Sequence, residues 1–143
     1  MPAPADGEDR QARRRAGNCV ACRGIRGAIT VDSNHGQDIL AASRELLEEL
    51  VAANDVQPED VAAVFFTTTL DLNAEYPARA AREMGWTDTP LLCGHEMDVP
   101  GGLASCLRIL LLVNTEKRAD QMVHVYLKGA RVLRPDRDNH PQG

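Results

Sequence analysis

The chain has 143 residues, the length of one domain, and with 43% hydrophobic and 26% charged residues it has the composition of a globular protein that builds its own core. A formal net charge of −5 argues against general nucleic-acid binding, which needs a basic field, and the longest apolar run, Ile109 to Val113, falls far short of the roughly 20 residues of a membrane-spanning helix. Of four cysteines only Cys19 and Cys22 form a C-x-x-C, no second ligand pair accompanies them, and the first residues lack an apolar signal region, so a reduced, cytoplasmic protein without a metal site is expected.

Residues 1–21 carry arginines and acids with little apolar material and are expected to form a disordered extension. The folded domain is expected over 22–136, and 137–143 reads as a flexible tail. "RGIRGAITV" (23–31) alternates at period two and predicts a strand with Arg26 on one face. In 33–55, Ile39, Leu40, Ser43, Leu46, Leu47, Leu50 and Val51 recur at helical spacing, which predicts an amphipathic helix ending at Asn54-Asp55. "AAVFFTTT" (62–69) is rich in strand formers. Pro77 and Gly85 then bracket a short helix that places Arg79 and Arg82 on one side. "PLLC" (90–93) predicts a strand, and Pro100-Gly101-Gly102 breaks the loop after it. Residues 103–113 read as a buried strand and "MVHVYL" (122–127) as a half-buried one, after which Pro135 leaves Arg134 near a chain end.

The order β-α-β-α-β-β-β predicts an α/β or α+β protein with one mixed sheet covered by helices on one face. With few aromatics to cover the other face, a second subunit is the expected cover.

Arg108 stands inside the run "CLRILLLV", where a guanidinium that cannot lose its proton needs an anionic partner. An internal carboxylate, Glu96 or Asp98, is one candidate. Arg26, Arg79, Arg82 and Arg134 also sit where solubility alone does not explain them, and together they favour an external carboxylate or phosphate, which the planar guanidinium binds in two parallel bonds. Glu96 follows a strand end and Tyr126 lies on the polar face of its strand. Cys93 has no visible partner pattern for nucleophilic catalysis, and His95 and His124 read as incidental. No phosphate-binding loop or catalytic triad signature is present. The residues thus support a small oligomeric protein with an arginine-rich pocket and do not name a reaction.

Four blocks, "RGIRGA" (23–28), "DLNAEYPARAAREMGW" (71–86), "CGHEMDVPGGLASCLR" (93–108) and "HVYLKGARVLRPD" (124–136), closely resemble the monofunctional AroH class of chorismate mutase, the small trimeric α/β type. The resemblance implies a five-stranded mixed sheet with helices on one side, assembled as a homotrimer (a pseudo α/β barrel) with sites at the subunit interfaces. It implies the pericyclic [3,3] rearrangement of chorismate to prephenate, with no metal, cofactor or covalent intermediate. By carry-over, the resemblance implies that Arg108 donates to the breaking ether oxygen, Glu96 faces the ring hydroxyl and developing positive charge, and Arg26 and Tyr126 hold the side-chain carboxylate, with Arg26 also near the ether oxygen as a third catalytic residue. Arg82, with Arg134 from the C-terminal tail, is implied to lie by the ring carboxylate or the pocket mouth, while Tyr76, Ala78, Arg79, Cys93 and Leu133 line the pocket. Tyr76 replaces a frequent Phe, Arg79 a frequent Lys and Leu92 a usual Thr, and Gly94-His95 also depart from the family pattern. A non-catalytic trimeric protein binding a carboxylated metabolite, and a regulatory subunit of a related enzyme, are the competing readings.

Overall fold

Strand β1 (Ala21–Thr30), helix α1 (Gly36–Asn54), strand β2 (Val61–Thr68), helix α2 (Ala78–Glu83) and strands β3 (Leu91–His95), β4 (Cys106–Thr115) and β5 (Val125–Leu127) follow one another in a computed structural model that describes residues 20–133. Short 3-10 turns occupy Pro58–Asp60, Ala119–Gln121 and Lys128–Leu133. The expectations for Cys19, for Arg134 and for most of the terminal segments lie outside the described residues.

Helix α1 forms because its apolar residues recur every three or four positions, and the resulting stripe of Ile39, Ala42, Leu46, Leu47 and Leu50 is buried. It stops where Asp55 turns into the left-handed region at φ 51°. Pro77 precedes α2, and Gly85, at φ 93°, ends it, as the spacing of the two residues predicts.

The strand order is β3-β2-β4-β1-β5. Pairs β1–β4 and β2–β4 are antiparallel, while β1–β5 and β2–β3 are parallel, giving the expected mixed five-stranded sheet of an α+β fold. Side chains alternate between faces. Ile25, Ile29, Val64, Phe66, Leu107, Ile109 and Leu111 pack into the core with α1. The helix lies so close to β1 that a β-carbon on Gly27 would stand 2.9 Å from Leu46 Cδ1 and 3.0 Å from Leu50 Cδ1.

On the opposite face Phe65, Leu92 and Leu110 are exposed. Among the described residues that face is covered at one corner, where the Lys128–Leu133 turn packs Ala130 and Leu133 against Ala28, Cys106 and Tyr126. Arg108 lies on this same face, between the buried Leu107 and Ile109, so the run around it is buried on one side only. This corrects the reading of 103–113 as a wholly buried strand.

Two strand boundaries also differ from expectation. β4 begins at Cys106, not 103, because Ser105 adopts φ 50° with its N–H held by Asp71 Oδ2 at 2.9 Å. β5 begins at Val125, not 122, because side chains instead of a ladder hold the preceding residues: Asn54 donates from Nδ2 to Val123 O at 2.9 Å and accepts Val123 N–H at Oδ1 at 2.8 Å. Among the described residues no helix is long and apolar enough to cross a membrane.

Candidate active site

β4, as the central strand, places its residues beside two neighbours at once. Arg108 is registered to Ala28 on β1 and to Thr67 on β2, and Ala28 is in turn registered to Tyr126 on β5. Residues of one register row share a face, so Thr67, Arg108 and Tyr126 all point to the open side. There they border a cleft of about 420 Å³ together with Arg26, Glu96, Phe65, Leu110 and Leu133.

Glu96 reaches the cleft from the turn after β3. Its own N–H donates to Thr68 O at 2.9 Å, its Oε1 accepts the Met97 N–H at 3.0 Å, and its Oε2 accepts the Thr67 hydroxyl at 3.4 Å. Arg108 Nε stands 3.5 Å from the same Oε2. The internal carboxylate weighed in the sequence is therefore present, and it is Glu96. The pair is not sealed: the Arg108 side chain is 44% exposed and that of Glu96 32%. A half-exposed pair of this kind contributes about 0–1 kcal/mol to stability, so fold stability does not account for it.

A second cleft of about 410 Å³ lies around the end of β2 and the approach to α2, bordered by Tyr76, Cys93, His95, Thr68 and Glu75 among others. Burial raises the Cys93 thiol above its usual pKa, against the opposing effects of a hydrogen bond from the Ala78 backbone and the Arg82 charge. Burial likewise raises Cys106, opposed first by the charge of Arg108. Neither thiol is thereby prepared as a nucleophile. Arg79 is held by Glu75 Oε2 at 2.8 Å and Glu83 Oε2 at 3.1 Å, and these acids raise its pKa further. The Glu75 carboxyl is lowered in return, first by the Tyr76 N–H and then by Arg79.

Five of the residues predicted for one pocket (Arg26, Glu96, Arg108, Tyr126 and Leu133) border the first cleft, while Tyr76 and Cys93 border the second, with Ala78 and Arg82 beside Cys93. Thr67 lines one cleft and Thr68 the other. As successive strand residues they point to opposite faces, so one chain carries its two residue sets back to back.

Thr67 and His124 are missing from the sequence-derived set. Thr67 acts through its register with Arg108, which no local pattern displays. His124, read as incidental, accepts the Arg26 N–H at Nδ1 at 3.0 Å. Its place two residues before Tyr126 is the sequence signal that could have drawn attention to it.

The sequence profile described as chorismate mutase type I matches residues 22–137. Chorismate mutase AroH of Bacillus subtilis (strain 168) is 46% identical over 115 residues, covering 80% of this chain and 91% of that protein. Chorismate mutase AroH of Thermus thermophilus is 49% identical over 115 residues, covering 80% and 94% respectively. A solved chorismate mutase from Clostridium thermocellum superposes with a TM-score of 0.75 at 47% identity, covering 76% of this chain and 97% of that one.

Proposed function

This chain belongs to the chorismate mutase type I family, and from that premise we propose that the Arg26–Glu96–Arg108–Tyr126 cleft is where it turns chorismate into prephenate. It is an isomerase of aromatic amino acid biosynthesis. The non-catalytic and regulatory readings have no finding in their favour.

The rearrangement is intramolecular: an ether C–O bond breaks as a C–C bond forms. The protein therefore has to fold the flexible arm over the ring and stabilise the charge that separates. In this reading Arg108 donates to the ether oxygen as negative charge grows there. Glu96, fixed by the Met97 N–H and the Thr67 hydroxyl, accepts from the ring hydroxyl and faces the positive charge. Arg26 and Tyr126 hold the side-chain carboxylate, with Leu133 against the substrate's apolar edge. The single observation that carries the assignment is the Arg108–Glu96 pair, opposite charges 3.5 Å apart in an open cleft that Arg26 and Tyr126 also border.

The site is completed by a second copy of the chain in a homotrimer, which brings Tyr76, Ala78, Arg79, Arg82 and Cys93 against the first cleft. Two features support this: the back-to-back placement of the two residue sets, and the exposed Phe65, Leu92 and Leu110 on the face that carries the first cleft. Arg82, with Arg134 from the C-terminal segment, then meets the ring carboxylate. In the cytoplasm Cys22, Cys93 and Cys106, all free, stay reduced.

The test is the loss of chorismate absorbance on adding purified protein, followed by acid conversion of the product to phenylpyruvate. Turnover that vanishes in Arg108→Ala supports the assignment. A folded wild-type protein that leaves chorismate unchanged overturns it.

A further inference from the structure

We propose that His124 positions Arg26 for carboxylate binding by supplying the acceptor that extends the β1–β5 pairing. β5 has three residues, and its parallel register with β1 covers only Gly27↔Val125, Ala28↔Tyr126 and Ile29↔Leu127. One residue earlier the Arg26 N–H donates to His124 Nδ1 at 3.0 Å, so an imidazole nitrogen stands in for a main-chain carbonyl. A backbone N–H can only donate, which leaves the lone pair at Nδ1 and the ring proton at Nε2.

The residue before His124 is tied down independently. Asn54, buried at the end of α1, binds both the N–H and the C=O of Val123, and its Nδ2 also donates to Leu50 O at 2.9 Å. His124 therefore couples a segment anchored on α1 to the strand that carries Arg26. So short an edge strand has little pairing of its own to resist slippage or fraying. Arg26 and Tyr126 reach one cleft from these two adjoining strands, so their separation follows the β1–β5 register. Two groups that share a carboxylate tolerate little misplacement.

The inference rests on the chorismate mutase reading of the cleft. Wild type and Arg26→Ala are therefore assayed first, since turnover by the one and its loss in the other test that reading without reference to His124. His124→Leu, which removes the acceptor, is expected to raise KM for chorismate about 10-fold with a smaller change in kcat. His124→Asn places an amide oxygen near the position of Nδ1 and is expected to bring KM back to within about 3-fold of wild type. In an Arg26→Ala background, His124→Leu should add less than about 2-fold, because the residue it positions is gone. Thermal midpoints of all variants are measured alongside, and the KM pattern is read among folded proteins. Unchanged KM in His124→Leu, an Asn variant no better than Leu, or full additivity with Arg26→Ala each overturns the proposal.

Discussion

A lysine at 108 would carry the same formal charge, yet it lacks the planar fork that an arginine brings to that position. Arg108 holds Nε 3.5 Å from Glu96 Oε2 as an ion pair, and on the proposed reading the rigid fork presents a further N–H to the substrate oxygen. A lysine offers a point charge that Glu96 would capture. Arg108→Lys is therefore expected to lower kcat on the order of 10²–10³-fold with a smaller change in KM, followed by chorismate absorbance. Near-native kcat in that variant would remove Arg108 from the reacting centre. Asp71 has a structural task instead. Its carboxyl is lowered below the usual range, first by the Thr69 hydroxyl and also by the Ser105 N–H and hydroxyl, against some desolvation. Its pKa is lower folded than unfolded, so its contribution is complete above the unfolded value and is lost as pH falls through the folded one, below about pH 4. Asp71→Asn should flatten the acid limb of stability in that window, which denaturant titrations at pH 3 and pH 6 would reveal. An equal slope in both proteins would show that Asp71 adds nothing pH-dependent.

Gly27 marks how closely an element can be fitted to its neighbour. It sits in β1 under α1, where even one methyl group would fall 2.9 Å from Leu46 Cδ1 and 3.0 Å from Leu50 Cδ1, both leucines being fully buried. Gly27→Ala must therefore push the helix or twist two core rotamers, and is expected to cost about 1–3 kcal/mol in denaturant unfolding. A neutral result would mean that the two leucines can repack freely. The same helix was the most legible element in the sequence, because a stripe of period 3.6 declares itself without knowledge of any partner. Both ends of α2 were legible as well, through Pro77 and Gly85. β5 was not: the alternation of 122–127 extends past the true strand, since Val123 spends its N–H and C=O on Asn54, 69 residues away. The placement of Thr67 opposite Arg108 was equally hidden, because register is a tertiary property, and the roles proposed for Glu96 and Tyr126 come only from the four blocks of family resemblance.

At the scale of the whole molecule, the described residues of one chain border two separate clefts, and on the proposed reading each is half of a site shared between subunits. Leu110, Phe65 and Leu92 leave an apolar face exposed beside the first, and a symmetric assembly both covers such a face and joins unlike clefts in a closed ring. This makes a definite claim about mixtures. Arg108→Ala disables the first set of residues and Arg82→Ala the second, so each homotrimer should be nearly inactive. In randomly mixed trimers made from equal amounts of the two variants, each site draws one set from each of two neighbours, and about one quarter of sites receive both sets intact. Co-refolding the two inactive variants should then restore about one quarter of the wild-type turnover, with a trimer mass by light scattering. If both residues served a site within one chain, every mixed trimer would carry only defective sites and no activity would return. The mixing experiment thus separates a site shared between chains from one held within a chain, even where the two assemblies have the same mass.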